Sequence, residues 1–274
     1  MKRALLVLCL LSPSVWACDT HLPLSGIVSV ATCPPDKGTR TCVASWEALS
    51  QYLEAMPDHD DDFTIALQSS PWRMYDGNWR ILTPEDLADT VRATREKKHK
   101  RVELVGSWTG VSPAPGIPSL ADRLSKALGG FPVQGENGFL WISKDGARRT
   151  TRQAFTGRQG SGPYFIPTGA ELFVPLVTGW QALGPKQAED ADAEQLLQSG
   201  AAWDVMYLCP EKAQQSFELA ASKGNVVAAY NAALMRLERG GNGNRSAAIA
   251  LLKRAAAQGD AKSQARLKIE LAKR

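Results

Sequence analysis

Histidine is scarce in this 274-residue chain, which holds only His21, His59 and His99. None of them sits in an H-E-x-x-H or H-x-K setting, and there is no G-x-S-x-G elbow, so the common metallohydrolase and serine-hydrolase signatures are missing. C-x2-C pairs, the short spacing that zinc sites favour, are also missing. Residues 157–162 are glycine-rich. They neither follow G-x-G-x-x-G nor open a helix, and they read as a loop. The acidic run 58–62 lacks the alternate spacing and closing Glu of a calcium loop and reads as a solvated turn. Beyond the first residues, no segment approaches the roughly 20 apolar residues that span a bilayer. These absences predict a non-catalytic chain with no cofactor and no metal.

The N-terminus has an export pattern. Lys2 and Arg3 precede the apolar run 4–11, and Val15, Trp16 and Ala17 lead to Cys18. Positive charge, a short apolar core and a small-residue exit predict a signal peptide over 1–17. Cys18 is then either the first mature residue or, since Val15 and Ala17 partly match a lipoprotein motif, a lipidation site. A lipid there would tether the chain to a membrane face. Both readings place the mature chain in the periplasm, where disulfides persist. Cys33 and Cys42 flank Pro34, Pro35, Asp36 and Gly38, which is turn chemistry suited to a short bridged loop. Cys209 pairs with Cys18 or, if Cys18 is lipidated, stays free.

Composition, with 44% hydrophobic and 22% charged residues, fits one or two globular domains. Charge is uneven. Residues 18–212 hold 19 Lys and Arg against 24 Asp and Glu, a net of −5, whereas residues 213–274 hold 11 against 4, a net of +7. On an exported chain a basic tail reads as a solvated face or as a site for an acidic partner or lipid headgroups, rather than a nucleic-acid surface.

The basic segment contains an internal repeat. Phe217, Ala220, Ala221, Gly224 and Asn225 recur as Leu252, Ala255, Ala256, Gly259 and Asp260, each 35 residues on. That period, with small residues at fixed places, is characteristic of paired-helix solenoids. Alanines allow close helix approach, the glycines fit left-handed caps, and Asn225 and Asp260 fit N-caps. Residues 240–244 read as a Gly-rich loop, with Ser246 capping the next helix. Residues 224–235 and 246–267 resemble Sel1-like repeats, although Ala233 stands where that family has Gly. The resemblance covers about 205–270 and implies a protein-binding scaffold whose first helices line a concave face. It singles out Tyr230, Asn231 and Leu234 as partner-binding.

Residues 18–188 read as an α/β domain, joined by an acidic linker over 189–204 to helical repeats over 205–274. The expected class is therefore mixed α+β, an α/β domain followed by an all-α array. Strands are expected at 26–30, 63–67, 102–108 and 139–143. Helices are expected at 45–56, from Thr83 into the basic run 97–101, and at 120–128. The start at Thr83 is well marked, with Pro84 at the first helical position and Asp86 placed for a capping box. Within residues 71–80, Trp72, Arg73, Tyr75 and Trp79 have the composition of an interface hot spot. The competing reading is a hairpin whose aromatics enter the core.

The layout of signal peptide, α/β domain and terminal repeats is similar to that of immunity proteins against type VI secreted phospholipase D effectors. It implies a secreted toxin as protein partner and steric occlusion as mechanism. A periplasmic cell-wall hydrolase docked through its repeats, or an envelope assembly scaffold, is the alternative.

Overall fold

The computed structural model describes residues 31–32, 43–44, 56–57, 59, 61–142, 146–151, 191–205 and 208–273. Cys18, Cys33, Cys42, the strand expected at 26–30, all but the last residue of the helix expected at 45–56, and the loop 157–162 lie outside these residues. No helix among the described residues is long and apolar enough to cross a membrane.

The first unit is mixed α/β. Strands β1 (Ala31–Thr32) and β2 (Val43–Ala44) form a short antiparallel pair. Strands β3 (Asp62–Ala66), β7 (Arg101–Val105) and β8 (Val133–Gly135) form a parallel sheet in the order β3–β7–β8. Between β3 and β7 run an antiparallel meander, β4 (Gln68–Ser69), β5 (Met74–Tyr75) and β6 (Ile81–Leu82), and helix α1 (Pro84–Thr94). Helix α2 (Leu120–Ala127) connects β7 to β8, and β9 (Phe139–Ile142) pairs with β10 (Arg148–Thr151). Both helices open on capping boxes, Thr83 with Asp86 and Ser119 with Asp122, so two orphan donors are satisfied at each start. One core forms where Leu87, Val91, Leu120 and Leu124 cover Phe63, Ile65, Val102 and Leu104 of the parallel strands. Parallel strands buried on both faces read as continuous apolar runs, which made β3 and β7 visible in the sequence.

The basic run 97–101 does not end α1. The helix stops at Thr94 with Arg95 as its cap. Lys100 and Arg101 instead pair with Asp61 and Asp62 at 2.6 Å, tying the starts of β7 and β3. Asp61 and Asp62 of the acidic run are therefore counter-charges to Lys100 and Arg101, while Lys98 pairs with Glu96.

Among the described residues, the second unit comprises five helices: α3 (Ala193–Val205), α4 (Pro210–Ser222), α5 (Val226–Arg239), α6 (Asn242–Ala257) and α7 (Ala261–Ala272). Each packs chiefly on its sequence neighbour. Helix α3 replaces most of the expected linker. Asp192 accepts from the Gln195 N–H at 2.7 Å, and the Gln195 side chain accepts from the Asp192 N–H at 3.1 Å, a reciprocal cap. Asn225 and Asp260 cap α5 and α7 more simply, each side chain accepting from one backbone N–H, that of Ala228 and of Ser263. The acidic character that suggested a linker is thus the start of a first helix. Within α3, a Cβ on Gly200 would lie 2.5 Å from the Phe217 ring, so only glycine permits this approach of α3 and α4.

The turn after α5 is shorter than its glycine content suggests. Gly240 and Gly241 take positive φ values of 69° and 81°, and two such residues reverse the chain. Helix α6 then begins at Asn242 and includes Gly243 and Asn244, so Ser246 lies inside it and Gly241 is the cap residue. At the repeat alanines, Ala220, Ala221 and Ala255 are buried, while Ala256 is only half-buried.

Candidate binding cleft

Met74 and Tyr75 are consecutive strand residues and so point to opposite faces. Met74 enters the sheet core, and Tyr75 enters the core of the helical array together with Ile81. The meander is therefore the seam between the two units.

A buried charge network holds this seam. Asp204, fully buried on α3, accepts from the Tyr75 hydroxyl and the Ser70 hydroxyl, each at 2.9 Å. The Arg73 guanidinium lies 3.2 Å from Asp204 and 3.2 Å from Glu238 of α5. Burial works against the Arg73 cation, but Asp204 and then Glu238 outweigh it, and the guanidinium is held more firmly protonated than usual. Burial, reinforced by the Asp204 charge, pushes the Tyr75 hydroxyl well above its ordinary range. Partial desolvation in the cleft wall raises the Glu238 carboxyl, with Arg73 opposing.

The β5–β6 turn is gripped by α5 and the start of α7. The Asp76 carboxylate accepts from the N–H groups of Asn78 and Arg80 at 2.8 and 3.0 Å, and Trp79 takes a left-handed φ of 62°. The buried Asn231 amide donates to the Trp79 carbonyl at 2.7 Å and accepts from the Ile81 N–H at 2.9 Å. It thus pairs with the hairpin as a neighbouring strand would. The Arg80 guanidinium forms two bonds, 3.0 and 2.6 Å, to Asp260 at the start of α7, and lies 5.0 Å over the Tyr230 ring.

These contacts place the expected partner-binding residues differently from their sequence reading. Arg73, Tyr75, Tyr230, Asn231 and Leu234 are buried, and Trp72 and Trp79 are half-buried. The aromatic loop and the first repeat helix meet each other across the seam rather than facing outward as two separate surfaces. Their burial, which the hairpin reading allows for, has a simple cause. Aromatic and Arg side chains enrich hot spots because they fill desolvated interfaces, and an interface inside one chain makes the same demand.

Beyond the seam the units diverge and leave a cleft of about 1200 Å³ between α1 and α2 on one side and α5 and α7 on the other. Trp72, Arg73, Tyr230 and Leu234 form part of its wall, whereas Tyr75, Trp79 and Asn231 do not. Glu238 faces it with its side chain 43% exposed. Lys262 of α7 pairs with Asp86 of α1 across it. Burial alone would raise the Asp86 carboxyl, but Lys262 and Thr83 together bring it below its ordinary value. Sequence reasoning missed Asp204 and Glu238, and it read Asp260 as a helix cap without its bond to Arg80. The available signal was Asp204, a lone carboxylate after Ala201, Ala202 and Trp203 in an otherwise apolar helix end.

Among the described residues, no group of three or more His, Cys, Asp or Glu is placed to hold a metal. Cys209 is disulfide-bonded, and its partner lies outside the described residues. Residues 39–150 match a family model described as Domain of unknown function (DUF8616). The match spans the sheet unit and stops short of the helical array. No curated protein and no solved structure matches the chain.

Proposed function

We propose that this chain is an exported, non-catalytic binding protein that captures an antibacterial effector in the periplasm. More specifically, it serves as an immunity protein for a type VI secreted effector of the phospholipase type. The observation that carries the reading is the cleft. It is framed by two units locked together through Arg73, Asp204, Tyr75 and Asn231. A site whose walls are already fixed does not have to be ordered on binding, and preorganisation of this kind favours tight capture. The disulfide at Cys209 suits an oxidising compartment, and the Sel1-like pattern of the C-terminal helices suits a protein partner. The effector's active site would be blocked by occlusion, with no chemistry by this chain.

The test is co-expression of the full chain with candidate toxins directed to the periplasm. One toxin should co-purify with the chain, and cells should survive only when the chain is exported. Failure to protect against any of them, together with hydrolytic turnover by the purified chain, would replace this reading with an enzyme.

A further inference from the structure

We infer that the cleft takes an acidic amphipathic helix of the partner protein, an inference that rests on the binding reading above. Three features lead to it. The cleft, about 1200 Å³, exceeds the roughly 300–1,000 Å³ of ordinary small-molecule sites. Its sides are largely the side chains of helices, whose backbones are already bonded internally, so they offer no strand edge. An occupant with its own backbone satisfied, presenting side chains only, fits such walls, as in helix-in-groove recognition. Finally, Leu234, Leu237 and Ile269 supply an apolar floor, and Ile269 is 51% exposed despite its size.

Charge at the rim decides the sign of the partner. Most cleft carboxylates are neutralised within the chain: Asp86 by Lys262, Glu238 by Arg73, and Glu270 by Arg266 and Lys273. Among the described residues, three cleft cations have no carboxylate at ion-pair distance: Lys126; Arg123, which donates to the Trp72 carbonyl and acts on Glu238 only through space; and Arg245, which donates to the carbonyls of Glu270 and Lys273 at the end of α7. Against them stands Glu85, exposed and without an ion pair among the described residues. The rim is complementary to carboxylates flanking an apolar stripe.

The experiment uses the mature full chain and two synthetic 18-residue amphipathic helices with the same leucine face, one with glutamates on its polar face and one with lysines. The glutamate peptide should bind at least tenfold more tightly, and binding should weaken as salt is raised. Lys126→Glu and Ile269→Asp should each reduce its affinity about tenfold. Leu271→Asp, at an exposed residue outside the cleft, should not. Equal binding of the two peptides, binding of neither, or insensitivity to both cleft substitutions overturns the assignment. The same variants tested for protection against the cognate toxin separate the two readings. Protection that survives Lys126→Glu and Ile269→Asp removes this cleft and leaves the immunity reading standing. Glutamate-peptide binding without protection against any toxin does the reverse.

Discussion

Asp204→Ala tests whether the seam makes one body of the two units. The substitution leaves Arg73 buried with Glu238 as its remaining counter-charge, and deprives the Tyr75 and Ser70 hydroxyls of their acceptor. Removing one partner of a buried ion pair costs about 3–5 kcal/mol, and an orphaned buried hydroxyl costs about 1–3 kcal/mol. These losses do not add in full, because Glu238 stays beside Arg73 and opens onto the cleft. A net destabilisation of about 4 kcal/mol is expected, a large share of the 5–15 kcal/mol typical of a folded domain. Urea unfolding of the mature chain, followed by tryptophan fluorescence and by far-ultraviolet circular dichroism, measures it. The two signals should coincide in the wild type and separate in Asp204→Ala as the array loses its hold on the sheet unit. Arg73→Met with Asp204→Leu replaces the pair by apolar groups, which is often nearly neutral. The double variant should therefore be more stable than Asp204→Ala, with a coupling energy of at least about 2 kcal/mol in the cycle of Arg73→Met and Asp204→Leu. Additive single effects, or a loss under about 1 kcal/mol for Asp204→Ala, would mean the network is solvated and the seam is held by apolar contact alone.

Gly200→Ala should cost about 1–3 kcal/mol by overpacking, because the new methyl meets the Phe217 ring; an unchanged thermal midpoint would refute the close α3–α4 approach. Ala221→Leu should destabilise to a similar degree, but Ala256→Leu, at a half-buried position, should have little effect by the same melt. Asp260 has its carboxyl lowered below 3.8, the opposing effect of burial being overcome by Arg80 and Ser263. Its stabilisation is therefore present above that value and lost as pH falls through the lower folded value. Asp260→Asn should cost about 1.5–3 kcal/mol at pH 7 and flatten the loss of stability below about pH 4, read from urea midpoints; parallel profiles for variant and wild type would contradict this. Non-reducing peptide mapping should find Cys33 joined to Cys42, a short loop that stabilises by roughly 2–3 kcal/mol, and Cys209 joined to Cys18. A Cys18–Cys209 bridge leaves no thiol at Cys18 for a lipid, so N-terminal sequencing of the same sample should give an unmodified Cys18; free thiols at positions 33 and 42 would refute the first pairing.

What could be read from the sequence divides along physical lines. Local rules gave the start of α1 from Thr83, Pro84 and Asp86, the strands β3 and β7 from their apolar runs, and the 35-residue spacing of Gly224 and Gly259, since each depends on residues near one another in the chain. The meander strands β4, β5 and β6 are two residues each, too short to show alternation. Helix α3 was hidden because a capping Asp192 beside further acidic residues looks like a solvated linker until Gln195 is seen to answer it. The seam was invisible for a deeper reason: Tyr75 and Asp204 lie 129 residues apart, and Asn231 and Trp79 lie 152 apart. No local pattern links such pairs. Composition marked both sides as interface-forming. It did not state that the interfaces were for one another. The consequence for recognition is specific. Asn231 spends both halves of its amide on the chain's own hairpin, and Arg80 spends its guanidinium on Asp260. On the proposed reading, a partner entering the cleft meets Tyr230 and Leu234 of the residues that the repeat pattern singles out, but not Asn231. It finds the leucines of α5, Ile269 of α7, and the cations contributed by α2 and α6. If the cleft is the binding site proposed above, its specificity is written jointly by two units that belong to different sequence patterns, and neither unit read alone would reveal it.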